Sequence, residues 1–190
     1  GFAEDLPAIG STVHRAGSYA RKHAPWVSFS NVPNGTTATD SSNLRFADFP
    51  ADFNDLPTVA IVVPNLDHDM HDGSVAAGDL WLRENLDDYY QWAKTHNSLL
   101  ILTFDESDSG HFGLTDPADR EPDERNRIVT ILAGAHIKPG EYTEGAGVTH
   151  VNLLRTIEAM YGLTPSGRQQ RHALAAGIAD DFILTDLFAR

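Results

Sequence analysis

Residues 64–73, PNLDHDMHDG, place three aspartates and two histidines within six positions, directly after the apolar run 58–63. Carboxylates and imidazoles at that density supply metal ligands and proton-transfer groups, so the stretch as a whole stands out as a candidate site. Asp67 and His68 equally suit plain turn positions, and Asn65 can serve the backbone alone. A second stretch, LLILTF at 99–104, ends in the adjacent carboxylates Asp105 and Glu106. Ligands of open α/β sheets sit outside the carboxyl ends of strands, where paired acids can hold a hard cation. The plainer alternative is a turn capped by Asp105, with Glu106 in solvent.

His150 opens a helical pattern in GVTHVNLLRTIE, 147–158. Protonation there opposes the helix dipole, so a neutral imidazole suits the position as a structural group or as a ligand. His23, His111 and His172 have polar neighbours and no partner nameable from the sequence. Asp105, Ser107, Ser109, Gly110 and Asp116 fall on positions of a calcium-loop template. The final Glu is missing and a strand precedes the loop, which argues against an EF-hand. No nucleophile elbow, Walker loop or dinucleotide fingerprint occurs, which removes α/β-type serine hydrolases and nucleotide-dependent chemistry.

The chain of 190 residues carries 14 Lys+Arg against 27 Asp+Glu, a net charge of −13, and no cysteine. That balance argues against nucleic acid or an anionic membrane surface as partner, since both are held by clustered cations. Without cysteine, thiol nucleophiles, disulfides and thiolate metal sites are excluded together, leaving His, Asp and Glu as ligands. The longest apolar runs fall far short of a membrane span. Length and composition fit one packed domain, or a portion of a larger one.

The elements that must position these groups are legible as patterns. Runs 58–64, 98–104 and 127–133 are nearly continuous in apolar residues, as strands buried on both faces of a parallel sheet are, which predicts an α/β fold with a mostly parallel central sheet flanked by helices. Leu82, Leu86, Tyr89 and Ala93 recur at helical spacing within 76–96, predicting a helix that joins the first two strands in a βαβ unit. A second helix is predicted over 149–161, with Leu153, Leu154, Ile157, Met160 and Tyr161 on its buried side, Thr149 as cap and Gly162 as stop. Residues 31–54 and 106–126 read as long surface loops.

Six segments occur in order: GFAEDLP (1–7), YARKHAPW (19–26), PNLDHDMHDG (64–73), GDLWL (78–82), TFDE (103–106) and THVNLLRTIE (149–158). Together they resemble the bacterial phosphoesterase family of secreted acid phosphatases and phospholipases C, over the first residue to about Leu163. The resemblance implies an alkaline-phosphatase-like fold and metal-dependent hydrolysis of phosphate esters through a phosphorylated Ser or Thr. It implies Asp105 and Glu106 as metal ligands, His71, Asp72 and His150 as catalytic groups, and Asn65 and Asp69 as substrate contacts. A divalent metal ion is the implied cofactor, a phosphorylated small molecule or phospholipid the implied partner, and secretion or the periplasm the implied location.

Holding an anionic phosphate on a chain of charge −13 calls for local positive charge: with a Debye length of about 8 Å in physiological salt, a metal and protonated histidine at contact distance outweigh remote carboxylates. Family members begin with a strand ending in a metal-binding Glu-Asn pair, followed by the nucleophile segment, and neither precedes Gly1. The sequence therefore reads as the C-terminal portion of such a domain, its nucleophile lying upstream. Thr36, Thr37, Thr39, Ser41 and Ser42 offer hydroxyls without an identifiable base. Monoester hydrolysis is the leading reading. A phospholipase C-type diesterase and a non-catalytic metal-binding or interaction domain are the alternatives.

Overall fold

A computed structural model describes residues 1–107, 128–141, 148–167 and 177–189. The chain forms two compact units, Gly1–Tyr89 and Tyr90–Arg190, and its class is α/β as expected.

In the first unit, strand β1 (Phe2–Ala3) runs parallel to both β4 (Leu44–Arg45) and β5 (Val62–Val63) in the order β4-β1-β5. The strands are short because β1 offers only two residues for pairing: Phe2 donates to Ile61 and Glu4 to Val63, and Pro64 then removes a donor. The predicted strand over 58–64 is therefore mostly irregular. Antiparallel β2 (Arg15–Ala16) and β3 (Tyr19–Ala20) form a hairpin across Gly17 and Ser18. Gly17 has φ +57°, the left-handed conformation such tight turns favour.

Ala3, Leu6, Tyr19, Ala24 and Trp26 make the buried cluster beneath these elements. Trp26 donates its indole N–H to buried Asn43, 2.9 Å away, so the ring is sealed in the core without an orphaned donor. This corrects the reading of 31–54 as surface loop: it contains β4 and the fully buried Asn43. Its polar composition hid a strand of two residues and a hydrogen-bonded core amide.

Helix α1 (Val75–Ala93) starts where the Ser74 hydroxyl accepts the Ala77 N–H at 3.2 Å. It buries Trp81, Leu86 and Ala93, with Leu82 and Tyr89 partly covered. Phe46 packs on Trp81 at 5.0 Å and Phe53 on Tyr89 at 5.4 Å, so aromatic contacts anchor the helix in the first unit.

In the second unit, β6 (Leu99–Thr103) pairs with β7 (Thr130–Gly134), Leu99 opposite Gly134 and Thr103 opposite Thr130. The pairing is antiparallel, which corrects the expectation of two central parallel strands. An apolar run reports burial and is silent on direction; here even the burial is partial, with Thr130 and Ile131 exposed. The helix between β5 and β6 exists, yet those strands belong to different sheets, so no βαβ unit within one sheet forms among the described residues.

Helix α2 (His150–Met160) has Thr149 as N-cap, with Asn152 completing a reciprocal capping box. Gly162, at φ +60°, ends it as predicted. Its buried side differs from expectation. Asn152, Arg155, Thr156 and Glu158 are buried, whereas Leu154, Met160 and Tyr161 are 44, 41 and 48% exposed. The reason is the neighbour: the 3-10 turn Asp180–Phe182 and the residues after it present polar groups. Asn152 donates to the Phe182 carbonyl, Leu184 N–H to the Thr156 hydroxyl, and Arg155 to Asp180. No helix among the described residues is long and apolar enough to cross a membrane.

Candidate functional site

Because β1 and β5 are parallel neighbours, their carboxyl ends open on one sheet edge, bringing Glu4 and Asp5 beside Asn65. Asn65 organises the loop that leaves β5. Its N–H donates to Glu4 Oε2 at 2.9 Å and its side-chain amide to Asp5 at 2.8 Å. Its Oδ1 accepts the N–H groups of Asp67 and His68, and its carbonyl accepts those of His68 and Asp69. Asn65 is thus committed on all sides to folding the loop. Glu4 also accepts from His68 Nδ1 at 2.9 Å.

The loop closes on itself through two N–H groups, of Asp72 and Gly73, that reach the Leu66 carbonyl. A Cβ at Gly73 would sit 1.7 Å from the Asp67 carbonyl oxygen, and one at Gly78 would meet the Met70 side chain at 2.5 Å and the His68 carbonyl at 2.9 Å. Both glycines therefore permit α1 to begin hard against the loop. Asp5 at φ +57° and Met70 at φ +72° hold left-handed conformations without being glycine. Strain of that kind concentrates at functional sites.

The β2–β3 hairpin and the turn after it supply the opposite charge. Ser18 donates its hydroxyl to Asp67 at 2.8 Å, and its carbonyl accepts the Leu66 N–H, which locks hairpin to loop. Arg15 then lies 3.7 Å from Asp72. The 3-10 turn Arg21–His23 brings Lys22 to 3.4 Å from His71 Nε2 and His23 to 2.7 Å from Asp69. His71 donates from Nδ1 to Asp72 at 2.8 Å, and the His23 and His71 rings lie 5.3 Å apart. The hydrogen bond from His71, with the nearby charges of His71, Arg15 and Lys22, holds the Asp72 carboxyl below the usual carboxylate range.

Of the residues singled out in the sequence, Asn65, Asp69, His71 and Asp72 are therefore gathered in one network. Sequence reasoning gave no role to Glu4, Arg15, Lys22 or His23. Glu4 and Asp5 obey the same strand-end rule that flagged Asp105, but a strand of two residues leaves no periodic signal. Arg15, Lys22 and His23 reach the loop only through tertiary folding.

In the second unit, Asp105 and Glu106 form an exposed turn after β6. His150, at the start of α2, donates from Nε2 to the Asp105 carbonyl at 3.2 Å, a contact that does not engage the Asp105 carboxylate. Among the described residues no three His, Asp or Glu side chains gather as a metal site. Asp105 and Glu106 thus offer two oxygen donors of the right chemistry for a hard cation and an incomplete ligand set. Ser109, Gly110, His111, Asp116 and His172 lie outside the described residues.

Residues 1–164 match the phosphoesterase family. The chain is 50% identical over 167 residues to phosphatidylinositol-3-phosphatase of Mycobacterium tuberculosis, covering 88% of this chain and 50% of that protein. It is 30% identical to a probable acid phosphatase of Kluyveromyces lactis, covering 83% of this chain and 36% of the relative. A phosphate-repressible acid phosphatase of Penicillium chrysogenum is 27% identical, with coverage of 88% and 40%. The chain therefore spans half or less of the length of these relatives. No solved structure gives a significant match. The ordered motifs, the strand-end loop they build and a family match over residues 1–164 agree, and the chain belongs to the phosphoesterase family.

Proposed function

We propose that the protein hydrolyses phosphate monoesters, with a phosphorylated small molecule or phosphoinositide-like lipid as substrate. The observation that carries this reading is the gathering of Arg15, Lys22, His23 and His71 at one strand-end loop of a chain with net charge −13. Four side chains able to bear positive charge suit a dianionic monoester better than a singly charged diester. The names of the relatives, phosphatases all, support the same choice.

In this proposal a Ser or Thr upstream of residue 1 attacks phosphorus. Its O–P bond forms as the ester P–O bond breaks, and the departing alkoxide takes up a proton. Water then cleaves the phospho-enzyme, restoring the hydroxyl and releasing phosphate. Lys22 and His71 bind phosphoryl oxygens. Asp72, an acceptor only, takes the Nδ1–H of His71, so that a ring protonated on both nitrogens has Nε2–H as the edge that can donate to a phosphoryl oxygen. His150 is the second histidine assigned to the reaction. Asp105 and Glu106 are assigned to a divalent cation, which when bound would neutralise phosphoryl charge; no third His, Asp or Glu ligand joins them among the described residues. The proposal places the protein outside the cytoplasm, secreted or periplasmic.

The test uses the full-length protein with p-nitrophenyl phosphate, bis(p-nitrophenyl) phosphate and added divalent metals. Turnover of the monoester well above the diester, abolished by EDTA and restored by metal, is expected. Preference for the diester, or no turnover with any metal, would overturn the reading.

A further inference from the structure

We infer that residues 178–189 are a strap that positions His150 against the Asp105–Glu106 turn, with Asn152 as the positioning residue that links the two. The inference rests on the assignment of His150 to the reaction, and the strap itself lies beyond residues 1–164, which carry the family match. It is fastened within the second unit at two places. At its far end the Lys138 N–H donates to the Leu187 carbonyl and the Ala189 N–H to the His136 carbonyl, both at 2.8 Å, around an antiparallel bridge of Ile137 with Phe188. Residues 136–138 follow β7, whose partner β6 leads to Asp105. At its near end the Leu184 N–H reaches the Thr156 hydroxyl at 2.9 Å, and Asp180 accepts from Arg155. That guanidinium is 6% exposed, and its Nε and Nη1 have no hydrogen-bond partner, so the strap carboxylate supplies its hydrogen bond, with Glu158 3.9 Å from Nη1. A buried charge stripped of its partner is strongly destabilising, which fastens strap to helix.

One segment thus holds both the helix that begins at His150 and the strand pair that leads to Asp105. Asn152 carries this hold to the helix start. It is 8% exposed and both ends of its amide are used: Nδ2 donates to the Phe182 carbonyl at 3.1 Å, and Oδ1 accepts the Thr149 N–H at 2.9 Å. Thr149 precedes His150, whose Nε2 meets the Asp105 carbonyl at 3.2 Å. The cap alone needs only the acceptor, which an aspartate would supply as well. The donor on the other side of the amide is what the strap requires.

The test compares the full-length protein, labelled with nitrogen-15 histidine, with Asn152→Asp, Asp180→Ala and the exposed control Asp181→Ala. Asn152→Asp keeps the acceptor for the cap and sets a carboxylate oxygen against the Phe182 carbonyl. The Asp180 side chain is 82% exposed, so its replacement leaves the core closed. Wild type should show a His150 ring N–H resonance protected from solvent exchange, identified by its loss in His150→Gln. That resonance should fade in Asn152→Asp and Asp180→Ala and persist in Asp181→Ala. With p-nitrophenyl phosphate, Asn152→Asp should lower kcat about 10-fold at unchanged KM, the scale of a misplaced group. In the His150→Gln background the same change should alter kcat less than twofold, because effects that pass through one residue do not add. A general loss of packing would lower kcat equally in both backgrounds. A ring resonance absent from wild type or unchanged in both strap variants, or an equal loss of kcat in the His150→Gln background, would overturn the inference. A wild type that shows the protected resonance and turns over no monoester would instead defeat the hydrolase reading.

Discussion

In the loop after β5, Asp67, Asp69 and Asp72 each have a donor: Ser18, His23 with the His71 N–H, and His71 with Arg15. After β6, Asp105 and Glu106 stand exposed, with no side-chain partner among the described residues. Both segments are strand-end acids, yet one is consumed in orienting histidines while the other has no side-chain partner among the described residues. Acids of the first kind shape a site for an anion. Acids of the second kind suit a cation. A metal-dependent phosphatase would need both, and the proposed function gives the two tasks to different loops.

The largest effect is expected from removing Asp105 or Glu106. Asp105→Ala or Glu106→Ala in the full-length protein should lower kcat/KM for p-nitrophenyl phosphate by ~1,000-fold or more, since metal charge stabilisation is worth several kcal/mol. Because both side chains are exposed, melting temperature without metal should hardly move. A large loss of metal-free stability with intact activity would reverse the assignment.

Next comes Gly73→Ala, whose added Cβ meets the Asp67 carbonyl at 1.7 Å. The loop must shift, at about 1–3 kcal/mol by analogy with overpacked cores, so thermal melting should fall and phosphate affinity with it. Asp72→Asn should act less on stability and more on pH dependence. With its folded pKa depressed by His71, Asp72 contributes its pairing fully above the unfolded value of about 3.9 and loses it as pH falls through the lower folded value. Wild type and Asp72→Asn should therefore differ in melting temperature at pH 5 and converge as the pH falls below the unfolded value of about 3.9. The smallest effect is Thr149→Ala, which removes the cap of α2 and should destabilise by ~1 kcal/mol, read by denaturant unfolding.

How much the sequence disclosed depended on how local each signal was. Helices α1 and α2 appeared because spacing, caps and stops lie within a few residues of one another. The acidic loop 64–73 appeared because its chemistry is contiguous. Strands β1 and β4, two residues each, were invisible, and the antiparallel pairing of β6 with β7 depends on partners about 30 positions away. The buried polar side of α2 exists because Asp180 and the Phe182 carbonyl pack there, a contact no helical periodicity contains. Likewise His23 meets Asp69 across 46 residues. The acids of the site were legible, and the cations that give them meaning were not.

The central claim is that the hairpin cations and the loop histidine form one phosphoryl-binding site. Its most direct measurement is the inhibition constant of inorganic phosphate against the full-length protein's p-nitrophenyl phosphate turnover, in wild type and its Lys22→Met/His71→Gln double variant, with folding monitored by circular dichroism. The account predicts inhibition weakened by ~100-fold, two charge-assisted hydrogen bonds' worth, at unchanged fold. An inhibition constant within threefold of wild type in the folded double variant would contradict it.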